Sequence, residues 1–232
     1  LDACRKQGVA VCNAAGYSTV CVAEEGNGLA LACLRRLPDC QRAVRTGGTS
    51  AGLRGREICG KTVGILGTGA IGLRTAKLFQ AFGADVIAYS RSRRPEAEAM
   101  GIRYLPLEEL MAESDIVSVH VPSNKETRHL ISRELIAQMK PTAILINAAR
   151  GAVVDNAALA EALNAGRIAA AGIDVFDAEP PIPAGDPLLQ AKNAVLAPHI
   201  GFLTDESMLR RAEIVFANID AFLRGAPENL VK

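Results

Sequence analysis

A doubly wound parallel α/β sheet is the fold this sequence predicts, and three observations predict it. Short apolar runs recur from residue 61 onward, and helical patterns separate them. These runs are apolar throughout instead of alternating, as expected of strands buried on both faces. Glycine follows the helical patterns at Gly83, Gly101, Gly166 and Gly225, where a left-handed residue closes a helix.

The elements follow in order. Residues 61–67 (KTVGILG) read as a strand and 70–82 as a helix stopped by Gly83. Residues 85–90 (DVIAYS) form the second strand, and a short helix runs to Gly101. A helix over 106–114 leads into the strand 115–122 (DIVSVHVP). Then come a helix over 132–140, a strand over 143–150 (AILINAAR) and a helix over 155–166 with Asp155 at its cap. Strands over 168–176 and 193–200 complete the sheet. Upstream, 9–13 (VAVCN) reads as a strand, 20–37 as one long helix ended by Pro38, and 45–55 as a loop. Residues 178–190, with four prolines, form a second long loop. In the last helix, 205–224, Met208, Ala212, Val215, Ile219 and Phe222 make one apolar stripe that needs a surface to pack on. There is no internal repeat and no low-complexity tract.

The 232 residues are 49% hydrophobic and 22% charged with a net charge of +1, an ordinary globular composition without bias toward nucleic acid or an anionic membrane. No apolar stretch approaches the roughly 20 residues of a membrane span, and no secretory leader opens the chain, so a soluble cytoplasmic protein is expected. Cys4, Cys12, Cys21, Cys33, Cys40 and Cys59 form no C-x-x-C pair. No metal site is expected from them, and they read as reduced thiols packed as small hydrophobes. The chain starts at Leu1 inside a helix-like segment, so an upstream piece is expected to be missing.

Gly67-Thr68-Gly69-Ala70-Ile71-Gly72 is a G-x-G-x-x-G between a buried strand and a helix. Gly67 permits the tight turn, Gly69 lets the backbone approach a pyrophosphate, and Gly72 lets the helix pack closely, its N-terminus facing the anion. An acid about 20 residues on would bind the adenosine ribose 2′-hydroxyl. Ser90 stands there instead, followed by Arg91, Arg93 and Arg94. A small hydroxyl beside a basic cluster suits a 2′-phosphate, so NADP(H) is favoured over NAD(H). Three further segments end at the carboxyl edge of the sheet, where open α/β folds bind ligands. They are Asn147-Ala-Ala-Arg150-Gly151, Gly172-Ile-Asp174-Val-Phe-Asp-Ala-Glu179-Pro180 and Ala197-Pro198-His199-Ile-Gly201.

Through LGTGAIG, SDIVSVHVP, LINAARGAVVD, GIDVFDAEP and APHIG, the chain resembles the D-isomer-specific 2-hydroxyacid dehydrogenases. These include the D-lactate, glycerate/hydroxypyruvate and D-3-phosphoglycerate dehydrogenases. The resemblance runs from Val9 to about Gly225. It implies a Rossmann-type cofactor domain over 20–204, with 1–19 and 205–232 as remnants of a smaller substrate domain. It implies that Arg150 holds the carboxylate of a small 2-keto or 2-hydroxy acid and polarises the keto oxygen. Glu179 pairs with His199, and Asp174 contacts the nicotinamide carboxamide. Cofactor contacts fall on Gly67, Thr68, Gly69, Ala70, Ile71, Gly72, Ser90, Arg91, Val121, Pro122, Thr127, Ala148, Asp174 and His199. Reduction of a keto acid puts a hydride on carbon while oxygen gains a proton, which an imidazolium at His199 would donate. A carboxylate at Glu179 favours that charged ring, and the planar fork of Arg150 matches a carboxylate. His120 and His129 read as structural.

The resemblance also implies a homodimer, with the 20–37 helix and the following loop as contact elements. The missing upstream piece would include a glycine-containing loop that helps bind the substrate carboxylate, so these residues alone are expected to bind cofactor but turn over poorly. Phe202 and Leu203 stand where small residues are usual and are expected to narrow the pocket. Two other classes stay open: a nicotinamide-sensing binding module without turnover, and a hydrolase on the same fold that uses the cofactor transiently. Neither explains Arg150, Glu179 and His199 together.

Overall fold

The computed structural model describes residues 1–231. Helix α1 (Asp2–Lys6) opens the chain, followed by α2 (Thr19–Leu34) and α3 (Leu37–Arg45). The sheet begins with β1 (Thr62–Leu66), α4 (Ala70–Ala81), β2 (Asp85–Tyr89), α5 (Pro95–Ala99) and β3 (Arg103–Tyr104). Its second half is α6 (Leu107–Glu113), β4 (Ile116–Val119), α7 (Arg133–Gln138), β5 (Ile144–Asn147), α8 (Asn156–Asn164), β6 (Ala170–Ile173) and β7 (Ala194–Leu196). Helix α9 (Asp205–Leu223) follows.

All seven strands are parallel, in the order β3-β2-β1-β4-β5-β6-β7. The order reverses between β1 and β4, which opens a crevice at their carboxyl ends. Helices cover both faces. Leu66, Val117, Val119 and Leu145 point to a core shared with α6, α7 and α8. Val63, Ile65, Ile116, Ile144 and Ile146 point to a second core shared with α2, α4 and α5. Successive strand residues therefore feed opposite cores, which is why the runs are apolar without a break. Gly83, Gly101, Gly166 and Gly225 all have positive φ after their helices, as the sequence predicts.

Several expectations need correction. Residues 9–13 are not a strand: an isolated antiparallel bridge joins Cys12 to Leu230, and one bridge is not a ladder. The 20–37 helix ends earlier, at Leu34, and Arg36 turns the chain with φ 52. Pro38 opens α3 where a helix end was expected, because a first-turn residue needs no N–H and proline already holds a helical φ. Strand β3 has two residues, too few to register as a period. The other strands stop short of their apolar runs, because the residues beyond the carboxyl ends turn into the site. All six cysteines are free, but only Cys21 and Cys33 are buried, and Cys59 is exposed. The stripe on α9 is largely uncovered: Val215, Ile219 and Phe222 are 41%, 50% and 53% exposed. They flank a cavity of about 450 Å³ beside Val9 and Cys12, while α9 buries Ser207, Asn218 and Ala221 instead.

No described helix is long and apolar enough to cross a membrane. Leu145 is fully buried in the middle of the sheet. Its replacement by Ala is expected to cost about 2–5 kcal/mol of stability. In urea unfolding this reads as a lower midpoint at unchanged slope.

Candidate active site

Strand β1 delivers Gly67 with φ +98, a conformation open to glycine, and its N–H bonds Tyr89 O at 2.7 Å. A Cβ on Gly72 would lie 1.9 Å from Gly67 O, so only glycine lets α4 start this close to the strand. Around Gly69 a Cβ would meet nothing within 4 Å, leaving open space above the backbone. Gly69 is the N-cap of α4 and no side chain caps it, so first-turn N–H groups stay available. A dinucleotide's pyrophosphate fits this cradle: open backbone, uncapped donors and the positive end of a twelve-residue helix. Thr68 is 2% exposed, and its hydroxyl accepts a 2.9 Å bond from Tyr104.

Ser90, Arg91, Arg93 and Arg94 follow the carboxyl end of β2. Arg91 lies 3.5 Å from Glu126, both exposed, and Arg93 lies 3.9 Å from Glu98. Beyond β4, Val121 lies over Gly67. The Thr127 hydroxyl donates to Pro122 O at 2.6 Å and accepts from Asn124 N at 2.9 Å, bracing this loop. Within β4 and just after it, Ser118 Oγ and His120 Nε2 are 2.9 Å apart, while His120 Nδ1 is shut off from solvent without a partner. Burial pushes the His120 imidazole down from 6.5 to about 4.

At the carboxyl end of β5, buried Asn147 shapes the turn that carries Arg150. Its Nδ2 donates to Arg150 O at 3.0 Å and its Oδ1 accepts from Ala149 N at 3.1 Å. The backbone at Gly151 passes so close to Phe176 O that a Cβ would lie 1.9 Å away. Arg150 has an exposed side chain whose Nη1 donates to Ala149 O at 2.6 Å. No described carboxylate pairs with it.

Beyond β6, Asp174 is 1% exposed. Its carboxylate accepts from Ile200 N and Gly201 N, each at 2.8 Å, and its carbonyl accepts from His199 N at 2.8 Å. His199 sits at φ +60, with Nδ1 2.6 Å from Glu179 Oε2. The Phe202 ring stands edge-on to the imidazole, centroids 5.4 Å apart.

A cavity of about 520 Å³ joins these parts, lined by Arg150, His199, Asp174, Phe202 and, from the amino-terminal region, Tyr17 and Val22. Ile71, Val121, Pro122 and Ala148 lie on its wall as well, whereas Glu179 reaches it through His199. Thr127 braces the adjoining loop, and the phosphate loop and Ser90–Arg91 lie beside the cavity at the neighbouring strand ends. Tyr17 and Asn147 were not foreseen. Nothing in the periodicity marks Tyr17, which Arg210 holds through Tyr17 O at 3.0 Å. Asn147 stands inside the N-x-x-R-G motif, and its side chain ties the turn there to Ala149 and Arg150.

The family model for the D-isomer specific 2-hydroxyacid dehydrogenase NAD binding domain matches residues 27–201. A glyoxylate reductase of Korarchaeum cryptofilum is 44% identical over 233 residues, covering 97% of this chain and 70% of that protein. The D-lactate dehydrogenase of Aquifex aeolicus, solved with NAD and lactic acid, superposes with a TM-score of 0.90 at 35% identity. That likeness covers 99% of this chain and 75% of the other. An acyclic imino acid reductase bound to NADPH and D-arginine has a TM-score of 0.90 at 30% identity, covering 100% and 74%. The chain belongs to the D-isomer-specific 2-hydroxyacid dehydrogenase family.

His120 supplies a test of the packing under this site. Its folded-state value lies below the unfolded one, so its contribution to stability is present above pH 6.5 and is lost as pH falls towards 4. Between those limits the Tm of the protein should drop more steeply than that of His120→Asn. Parallel curves for the two proteins would contradict a neutral, half-buried ring.

Proposed function

We propose that this protein reduces small 2-keto acids, glyoxylate and hydroxypyruvate foremost, to 2-hydroxy acids, of D configuration where the product is chiral, with NADPH preferred to NADH. The observation that carries the reading is one cavity with an arginine that has no carboxylate partner among the described residues and a carboxylate-paired histidine, at the strand ends beside the glycine-rich turn. When bound, the nicotinamide cofactor supplies the hydride.

Arg150 offers its planar fork to the substrate carboxylate and polarises the keto oxygen. With Nδ1 engaged by Glu179, His199 has Nε2 left for that oxygen, donating the proton in reduction and accepting it in oxidation. Glu179 holds the ring in one orientation through Nδ1. Asp174 uses one lone pair of each oxygen on the loop and keeps others for the nicotinamide carboxamide. Phe202 narrows the wall beside His199, in keeping with a short substrate. Ser90 in place of an acid, followed by Arg91, Arg93 and Arg94, supports a 2′-phosphate on the adenosine.

The reading includes a cofactor domain over 20–204, with 1–19 and 205–232 belonging to a substrate domain. It also includes a homodimer built on α2 and the segment after it, where Leu37 and Val44 are 52% and 77% exposed. Light scattering that gives the monomer mass would remove the dimer.

His199→Ala is expected to lower kcat about 10²–10⁴-fold while NADPH still binds. A panel of glyoxylate, hydroxypyruvate, pyruvate and longer keto acids with each cofactor tests the substrate and cofactor together. Absence of turnover with every acid in the intact gene product would overturn the enzyme reading, and equal kcat/KM with NADH and NADPH would overturn the preference.

A further inference from the structure

Outside the cavity, one side chain joins the phosphate loop to the arginine-bearing loop. Tyr104 closes β3 at the edge of the sheet, beside Ala88 of β2. Its phenol donates to Thr68 Oγ1 at 2.9 Å and accepts from the Arg94 backbone N–H at 3.0 Å. The single hydroxyl proton thus goes to the turn between Gly67 and Gly69, and a lone pair goes to the residue that caps α5. The guanidinium of Arg93 lies 5.7 Å over the ring centroid. Arg91 faces Glu126, and Arg93 is divided between Tyr104 and Glu98. Arg94 has an exposed side chain and no ion pair among the described residues.

We propose that Tyr104 is a positioning residue for cofactor selection: through its hydroxyl it fixes Arg94 against the phosphate loop, so that affinity for a 2′-phosphate depends on it. This inference rests on the NADP(H) reading above. An exposed loop that must be ordered by its ligand loses affinity to the entropy of ordering, and the phenol removes that loss in advance. A cofactor with a free 2′-hydroxyl relies on the turn and on the α4 N-terminus and gains nothing from Arg94. The hydroxyl therefore acts on one cofactor and spares the other.

Equilibrium titrations of the full chain with NADPH and NADH, followed by nicotinamide fluorescence without substrate, test this. Tyr104→Phe keeps the ring and the Arg93 contact. It should raise the Kd for NADPH about five- to tenfold and leave the Kd for NADH within about twofold. Arg94→Ala should weaken NADPH binding in the same selective way, and the double variant should be no worse than Arg94→Ala alone. If Tyr104→Phe fails to fold, Tyr104→Met removes the same hydroxyl with a flexible apolar side chain and carries the same expectation. Equal weakening of both cofactors, an unchanged NADPH affinity or additive losses in the double variant would overturn the role of Tyr104 alone. Equal affinity of the unaltered protein for both cofactors would overturn the NADP(H) reading first, and this inference with it.

Discussion

A carboxylate buried under the sheet edge holds the site together. Removing a charge from water is costly unless hydrogen bonds replace the lost hydration. At 1% exposure, Asp174 meets that condition with the N–H groups of Ile200 and Gly201, while its own carbonyl takes the N–H of His199. Three successive backbone donors thus converge on one residue. That convergence holds His199 at φ +60, where side-chain-bearing residues rarely sit, and sets its ring within reach of Glu179. Glu25 of α2 comes close to the same carboxylate, and burial, then the Asp174 charge, push its carboxyl up. A second full negative charge beside Asp174 is thereby disfavoured.

Around that anchor, close backbone approach decides the geometry. Gly72 lets α4 begin against Gly67, and Gly151 lets the Arg150 turn ride on Phe176. Both contacts lie at carboxyl ends of the parallel sheet, the first after β1 and the second beyond β5 and β6, with β4 between them. The reversal of strand order between β1 and β4 keeps the space between them clear.

Much of this was legible in the sequence because buried parallel strands and phosphate turns impose strict local chemistry. The runs around Val63, Val117, Leu145 and Ala171 could be read as strands, and Asp155 as a cap, since each follows from burial or hydrogen bonding within a few residues. What escaped depends on partners distant in sequence. Proline suits both the end and the start of a helix, and only the left-handed turn at Arg36 shows that Pro38 starts one. Val9 and Cys12 resemble a strand, but among the described residues the segment pairs through a single bridge, to Leu230. Tyr17 enters the cavity because Arg210, 193 residues away, grips its carbonyl. Tyr104 reaches Thr68 across the edge of a sheet from a strand too short to announce itself.

The joining of Cys12 and Asn13 to the tail has a kinetic meaning. Asn13 N–H bonds Asn229 O, Val231 N–H bonds Val11 O, and the Asn218 amide donates to Asn13 O. These few bonds bridge nearly the whole chain, so their closure entropy is large and little buried apolar surface backs them. They should form last as the molecule folds and open first as it breathes, exchanging their amide hydrogens with solvent while β5 stays protected. The two segments would then behave as a separable clasp, loosening without disturbing the sheet that carries the chemistry.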